Sequence, residues 1–219
     1  MDAGKDKDIV SRDVWLQARA EVLAQEKKLT LLRAEVAAAR RAMPWVRLEK
    51  SYVLEGPDGE VALGDVFQEQ SQLAVYHIMF GPGWSSVCTG CTQWANAINS
   101  TTAAFPRADA RMVAVSRAPI EEISAQKEKL GWDFTWLSSF RSDFNVDFYG
   151  SAGSVAEGTT ATVGVETVGF DRGENHGVNI FYRDEGGQIF HTFSAFNRGI
   201  EECNGAFGYF DMLPKGRAW

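Results

Sequence analysis

Residues 70–106 contain no Asp, Glu, Lys or Arg, although these four residue types make up 23% of the 219-residue chain. Within this uncharged stretch, residues 73–80 form a continuous apolar run of strand length, interrupted only by His77. Such a run is typical of a strand in a sheet that helices cover on both faces. The sequence therefore predicts an α/β protein built around this strand.

The overall composition excludes several classes of protein. A net charge of −7 argues against a nucleic-acid-binding protein, because contacts to phosphates need a basic surface. Three cysteines are too few for a disulfide scaffold, and no apolar run approaches the ~20 residues of a membrane-spanning helix. The charged start of the chain lacks the apolar core of a signal peptide, so we predict a cytoplasmic protein with no membrane or nucleic-acid partner.

The charge is distributed unevenly: residues 1–50 carry a net charge of +3, whereas residues 51–219 carry −10. Apolar residues recur at helical spacing over residues 11–43, where Ser11 or Asp13 can cap a helix and Pro44 ends it. We therefore predict a helical arm over residues 1–46 that docks on the acidic body of its own chain. Docking on a partner subunit, to form a homodimer through this helix, is the alternative.

Turn signals and apolar periods predict the elements of the remaining domain, residues 47–219. A hairpin over residues 52–63 turns at Gly56-Pro57-Asp58-Gly59, whose composition favours a tight turn. Further strands are predicted at 73–80, 112–115, 136–139, 178–182 and 188–193, helices at 92–105, 120–130 and 200–209, and an inserted loop at about 145–170. Parallel strands joined by crossovers, followed by an antiparallel hairpin, imply a mixed central sheet flanked by helices.

The sharpest motif is Cys88-Thr89-Gly90-Cys91, which follows the apolar strand and opens the next helix. A helix start carries a partial positive charge and free N–H groups, and both stabilise a thiolate. Residues three apart on the first turn lie on one face, within reach of a disulfide. We therefore predict a redox-active pair, with Cys88 as the exposed attacking thiolate and Cys91 as the more buried resolving thiol.

A zinc site built on the same cysteines is a weaker interpretation, because a structural zinc needs four ligands. One Cys-x-x-Cys motif supplies two ligands, Cys203 lies 112 residues further along the chain, and the three histidines are scattered. We predict neither a metal nor a cofactor. Cys203 is interpreted as a small buried apolar residue, and His77 and His191 are interpreted as structural histidines.

The order of elements and the position of the dithiol resemble those of thioredoxin-like proteins. A closer resemblance rests on residues 79–84, 88–91, 113–119, 131–132, 136, 138–139, 142–145, 181–184, 190–192 and 213–217. In these segments the chain resembles the DUF899 family, a bacterial thioredoxin-like family often described as predicted dithiol–disulfide oxidoreductases. The resemblance implies a thioredoxin-like fold, exchange chemistry at Cys88 and Cys91, and a thiol or disulfide substrate, either a small molecule or a protein.

Two departures from the thioredoxin pattern concern the surroundings of the cysteines. Thioredoxins place Trp directly before the first cysteine, whereas this chain has Val87 there and Trp84 four positions before Cys88. Thioredoxins also place a cis-proline before the strand that faces the site, where this chain has His176-Gly177, and we expect Gly177 to leave an open, flexible wall. The supporting residues predicted around the dithiol are Trp84, Ser116, Arg117, His176 and Gly177.

Three other expectations bear on function. A peroxiredoxin-like thiol peroxidase is the alternative enzyme, but its Pro-x-x-x-Thr-x-x-Cys pattern would require Pro and Thr where this chain has Gly81 and Ser85. A non-catalytic redox-sensing or binding domain is the alternative outside catalysis. The loop at about 145–170 is predicted to be a lid that restricts access to Cys88, because long loops in compact domains are usually functional.

Overall fold

The structure is a computed structural model that describes residues 7–152, 160–163 and 166–217. Its Cα positions fall into two compact units. One unit comprises the described residues of Met1–Pro44 and Tyr209–Trp219, and the other is Trp45–Gly208. The dithiol motif and all five predicted supporting residues lie in the second unit.

The first unit contains the helix α1 (Arg12–Arg41). The Ser11 hydroxyl accepts a hydrogen bond from the Val14 N–H at 3.4 Å, so Ser11 rather than Asp13 is the N-cap. Arg40 and Arg41 in the last turn complement the helix dipole. None of the helices in the described part of the chain combines the length and apolar character of a membrane span. The docking of this arm remains a prediction.

The second unit alternates strands and helices. Its strands are β1 (Val46–Arg47), β2 (Val53–Gly56), β3 (Gly59–Ala62), β4 (Gln72–His77), β5 (Ala110–Ser116), β6 (Trp136–Ser138), β7 (Thr160–Val163), β8 (Glu166–Gly169), β9 (Gly177–Arg183) and β10 (Ile189–Phe196). Its helices are α2 (Leu63–Val66), α3 (Thr89–Thr101), α4 (Ile120–Leu130), α5 (Phe144–Asp147) and α6 (Gly205–Phe210), the last of which extends past Gly208. Thr102–Ala108 and Asn197–Cys203 form 3-10 helices.

Eight strands form one mixed sheet in the order β1-β10-β9-β4-β5-β6-β2-β3. Strands β4 and β5 are parallel and are joined through α3, whereas β9 is antiparallel to β4 and β10 is antiparallel to β9. This central order, two parallel strands followed by an antiparallel hairpin, is the thioredoxin-like arrangement that the sequence predicts. The fold class is thereby confirmed. Strands β7 and β8 form a separate antiparallel pair.

Strand β4 separates two buried layers, because successive side chains point to opposite faces of a sheet. On one face, Leu73 and Val75 pack in a core with α2 and α5 residues such as Phe144. The helix α3 lies on the other face. Trp132 packs there against Trp136 of β6, and its indole N–H donates to Asn96 of α3. Tyr76 and His77, adjacent residues at the end of β4, therefore face different layers.

Several predicted boundaries are wrong. The segment at 145–169 is not a structureless loop, because it starts within α5 and includes the β7–β8 pair; residues 153–159 and 164–165 lie outside the described residues. The helix predicted at 200–209 is a 3-10 helix followed by α6, with Asn204 between them. Strand β1 is missing from the sequence prediction because two residues leave no readable period.

Candidate functional site

The two motif cysteines lie at the N-terminus of α3, and Cys88 is its N-cap residue. Cys88 is partly exposed, whereas Cys91 is only 2% exposed. The Met79 N–H donates to the Cys91 sulfur at 3.4 Å, and the Cys88 N–H donates to the Met79 carbonyl at 3.3 Å. The loop between β4 and α3 thus fixes both sulfur-bearing residues through its own backbone.

The electrostatic environment separates the two thiols. A hydrogen bond from the Cys91 thiol lowers the pKa of Cys88 to about 5, against partial burial and with help from the backbone N–H groups of Cys91 and Gly90. The same hydrogen bond, together with burial, raises the pKa of Cys91 far above its usual value. At neutral pH, Cys88 is therefore a thiolate, and Cys91 is a protonated thiol that donates to it.

The turn before β9, residues 171–174, lies beside the loop that joins β4 to α3. We call this loop, residues 78–88, the cysteine loop, and we call the turn the wall. Asp171 and Glu174 pair through both backbone hydrogen bonds, and the two residues between them, Arg172 and Gly173, have φ values of 48° and 80°. A two-residue turn with positive φ at both positions is favoured by glycine at the second. The Arg172 guanidinium lies 3.5 Å from the centre of the Trp84 ring. Asp171 acts on Cys88 by raising its pKa slightly against the other influences.

A buried carboxylate lies behind this wall. The Arg117 guanidinium contacts one carboxylate oxygen of the fully buried Glu174 at 2.6 and 2.7 Å, and the Ser151 hydroxyl donates to the other oxygen at 2.6 Å. A Cβ added to Gly81 would lie 3.0 Å from the Glu174 Oε1 atom and 3.0 Å from the Trp84 Nε1 atom. Gly81 therefore allows the cysteine loop to pass close to the ion pair.

His77 connects to this ion pair through a series of buried side chains. Its Nε2 atom accepts from the Asn179 amide at 2.9 Å, so its Nδ1–H donates to Asn145 Oδ1 at 3.1 Å. The Asn145 amide in turn lies 3.5 Å from the Ser151 hydroxyl. Burial lowers the pKa of His77 to about 4, which keeps the ring neutral. We call this series the buried polar chain; it comprises His191, Asn179, His77, Asn145, Ser151, Glu174 and Arg117.

The family of this chain follows from a comparison of its sequence with family models. The family model described as "Bacterial protein of unknown function (DUF899)" matches residues 4–219. This chain belongs to the DUF899 family. No curated protein has a sequence that matches it.

Among solved structures, this DUF899 chain is similar to a peroxiredoxin Q of Xanthomonas campestris, with a TM-score of 0.48 and 16% identity over 74% of this chain and 90% of that one. It is also similar to the peroxidoxin BcpB of Mycobacterium tuberculosis, with a TM-score of 0.42 and 14% identity over 67% and 80% of the two chains. A third similar structure is a candidate thiol:disulfide interchange protein DsbE from Chlorobium tepidum, with a TM-score of 0.43 and 14% identity over 77% and 95%.

The structure of this DUF899 chain places the predicted supporting residues in different surroundings. Trp84 lies in the cysteine loop under Arg172. Arg117 is not directed at a thiolate, because its guanidinium is bound to Glu174. The buried Ser116 hydroxyl donates to the Ile78 carbonyl and accepts from the Trp136 indole, and it thereby ties β4, β5 and β6 together.

The expected open wall at Gly177 is wrong. Gly177 is buried in β9, and a Cβ at this position would lie 2.2 Å from the Phe196 Cδ1 atom. The neighbouring His176 is mostly buried, and burial lowers its pKa. Cys203, at the end of the 3-10 helix Asn197–Cys203, is exposed, so the expectation that it is buried is wrong. His77 is confirmed as a satisfied core histidine.

Sequence reasoning missed the wall residues Asp171, Arg172 and Glu174. A signal was present: the run Asp-Arg-Gly-Glu-Asn at 171–175 places three charges and a glycine directly before the strand that faces the cysteines. Such a run has neither a helical nor a strand period, so periodicity alone does not reveal it. In the described part of the chain, no group of three or more Cys, His, Asp or Glu side chains has a geometry that could hold a metal ion.

Proposed function

We propose that this protein catalyses thiol–disulfide exchange through Cys88 and Cys91. The observation that carries the proposal is the asymmetry of the pair at the start of α3. Cys88 is accessible and has a pKa of about 5, lowered mainly by the Cys91 hydrogen bond, whereas Cys91 is buried and protonated. An accessible thiolate with a protected second thiol three residues away is the arrangement that exchange requires.

The reaction follows from these two states. The Cys88 thiolate attacks one sulfur of a substrate disulfide, the substrate S–S bond breaks, and the leaving thiolate takes a proton from solvent. Cys91 then loses its proton to solvent and attacks the Cys88 sulfur, which releases the second substrate thiol. One substrate disulfide is reduced by two electrons and the Cys88–Cys91 disulfide forms. A dithiol reductant restores the protein, and the reverse sequence oxidises a substrate dithiol.

The cysteine loop and the wall determine how rigidly the thiolate is held. Backbone hydrogen bonds to Met79 fix the sulfur-bearing residues, and Arg172 covers the Trp84 ring. Residues 70–106, which include the pair, carry no charged side chain, so within this segment the thiolate is stabilised by hydrogen bonds and by the helix start. The proposed substrates include both small disulfides and protein disulfides.

The proposal is tested by reduction of insulin and of a small aromatic disulfide, with dithiothreitol as the electron source. We expect catalysis by the natural sequence, no catalysis by Cys88→Ser, and unchanged catalysis by the matched control Cys203→Ser, which removes the exposed cysteine outside the motif. Equal rates for the natural sequence and Cys88→Ser with both substrates would contradict the proposal.

A parallel assay with hydrogen peroxide separates the peroxidase alternative from exchange. The pattern needed for peroxide activation is not met at Gly81 and Ser85, and Arg117 is bound to Glu174. We therefore expect slow peroxide consumption relative to disulfide reduction. Fast consumption of peroxide together with inactivity towards disulfides would replace exchange by a peroxidase function.

A further inference from the structure

The hydroxyl of Tyr76 is a buried polar group in the layer that contains α3 and Cys91, which we call the thiol layer. Tyr76 is 1% exposed, and among the described residues no group lies in hydrogen-bonding geometry to its hydroxyl. A buried hydroxyl without a partner destabilises a fold, so its position in the core calls for a reason other than stability.

The position of this hydroxyl points to the second cysteine. Tyr76 and His77 face opposite layers of the sheet, and Tyr76 faces the layer that contains α3 and Cys91. Met79, three residues further along the same segment, already donates its N–H to the Cys91 sulfur at 3.4 Å. Tyr76 and Cys91 lie close enough for each side chain to change the ionisation of the other. Burial first and Cys91 second raise the pKa of Tyr76 well above its usual value, and the Tyr76 hydroxyl acts to lower the pKa of Cys91 against larger opposing influences. The hydroxyl is thus near the Cys91 sulfur without reaching full hydrogen-bond geometry in the reduced state.

The Cys91 thiol changes its role during exchange. In the reduced state it donates its proton towards the Cys88 thiolate. In the mixed disulfide that charge is gone, and Cys91 must itself become a thiolate inside a layer to which residues 70–106 contribute no charged side chain. Burial opposes this step, because a buried charge without donors is costly. The Met79 N–H is one donor available to it.

We propose that Tyr76 is a positioning residue for the resolving step, in which its hydroxyl donates a hydrogen bond to the Cys91 thiolate while Cys91 attacks the Cys88 sulfur. This inference rests on the proposed exchange function. Tyr76 keeps its proton throughout; the Cys91 proton passes to solvent, and the substrate thiolate leaves with the electron pair of the broken S–S bond. Met79 and Tyr76 together form a two-donor cradle for the transient charge.

The test uses the aromatic disulfide 5,5′-dithiobis(2-nitrobenzoate) on Cys203→Ser protein, so that only the motif cysteines react. Stopped-flow absorbance should show two releases of the coloured thiolate, the first from Cys88 attack and the second from Cys91 attack. Tyr76→Phe should leave the first phase unchanged and slow the second about ten- to a hundredfold, the factor that a hydrogen bond to a charged group supplies. Tyr209→Phe, which removes an exposed hydroxyl, serves as the matched control.

Two readouts separate positioning from a structural role. The pH profile of the second phase should move to higher pH in Tyr76→Phe, because loss of a donor raises the pKa of Cys91 in the mixed disulfide. The melting temperature should stay the same or rise, because an unpaired buried hydroxyl is removed. A second variant, with 3-fluorotyrosine at position 76, keeps the shape and donates more strongly, so it should accelerate the second phase.

The outcomes are distinct for the two proposals. If the Cys203→Ser protein itself shows no second release, Cys91 does not resolve and the exchange function fails. If the second release occurs but neither Tyr76→Phe nor 3-fluorotyrosine changes its rate or pH profile, exchange stands and the role of Tyr76 is refuted. A slower second phase that comes with a large loss of melting temperature in Tyr76→Phe, and no acceleration by 3-fluorotyrosine, also refutes the role.

Discussion

Tyr76 and His77 are neighbours on strand β4 and are both buried, yet their polar groups differ in how far they are hydrogen-bonded. The His77 ring, 0% exposed, has a partner at each nitrogen, and its partners continue to the Arg117–Glu174 ion pair. The Tyr76 hydroxyl has no partner at hydrogen-bond geometry within the described part of the chain, and it lies near the Cys91 thiol. A fully satisfied polar network makes a fold more rigid, whereas an unsatisfied hydroxyl is free to donate in the resolving step that we propose.

The largest effect on stability should follow from removing the His77 ring, because both of its nitrogens have hydrogen-bond partners. His77→Phe leaves the amide groups of Asn145 and Asn179 without their shared partner. At about 1–3 kcal/mol for each unpaired group, we expect a loss of about 2–6 kcal/mol in the free energy of unfolding. The urea midpoint measures this loss, and Tyr76→Phe should show none. Equal losses for the two variants would remove the contrast between the layers.

A second variant disturbs the polar chain by overpacking rather than by deletion. A Cβ at Gly150 would lie 2.3 Å from the His77 Nδ1 atom, so Gly150→Ala must displace the ring. We expect a loss of about 1–3 kcal/mol. Gly64→Ala is the matched control, since a Cβ at this position in α2 meets nothing within 4 Å and alanine favours a helix. An unchanged unfolding midpoint in Gly150→Ala would mean that the ring has room to move.

The pH dependence of Cys88 alkylation tests what lowers the Cys88 pKa in the thiol layer. The thiolate is the reactive form, so the rate should rise with pH and reach half its plateau near the Cys88 pKa of about 5. Cys91→Ala removes the largest cause of that low pKa and should move the midpoint to higher pH. A midpoint of about pH 7 would lower the rate at about pH 6 roughly tenfold. Peptide mapping after iodoacetamide treatment identifies Cys88 and separates it from the exposed Cys203. An identical profile in Cys91→Ala would show that the helix start alone stabilises the thiolate.

The smallest expected effect concerns the wall. Asp171 is the weakest of the influences on Cys88, and its charge raises the Cys88 pKa. Asp171→Asn should therefore move the alkylation profile slightly to lower pH, whereas Asp58→Asn on the β2–β3 turn should not move it. The same alkylation series measures both variants at low ionic strength, where screening is weakest. A movement to higher pH in Asp171→Asn would mean that Asp171 instead supports the thiolate, through a contact other than its charge.

The fold and the position of the cysteine pair at a helix start can be predicted from the sequence because their signals are local. The apolar run before Cys88 and the spacing of Cys88 and Cys91 depend only on neighbouring residues, and α4 has its predicted bounds because Pro119 and Gly131 mark both ends. The buried polar chain cannot be predicted in this way. Its members His77, Asn145, Ser151 and Glu174 are brought together from separate segments, and none of them carries a periodic signal.

At Gly177 and Arg117, a local sequence signal led to an expectation that differs from the structure. Gly177 suggested an open wall, but the ring of Phe196, paired with it across β9 and β10, occupies the space that a side chain would fill. Arg117 suggested a helper for the thiolate, but the distant Glu174 binds its guanidinium. In each case the decisive partner lies on another element, where sequence spacing gives no information.

The most direct test of the central claim is a redox titration of the Cys203→Ser protein in buffers of reduced and oxidised glutathione, followed by acid quenching, thiol alkylation and mass measurement. We predict that Cys88 and Cys91 lose their alkylation together, with the slope of a two-electron couple and full reversal on reduction. Both thiols remaining alkylated at every potential, or Cys88 alone becoming protected while Cys91 stays reduced, would contradict the claim that the pair is a redox-active dithiol.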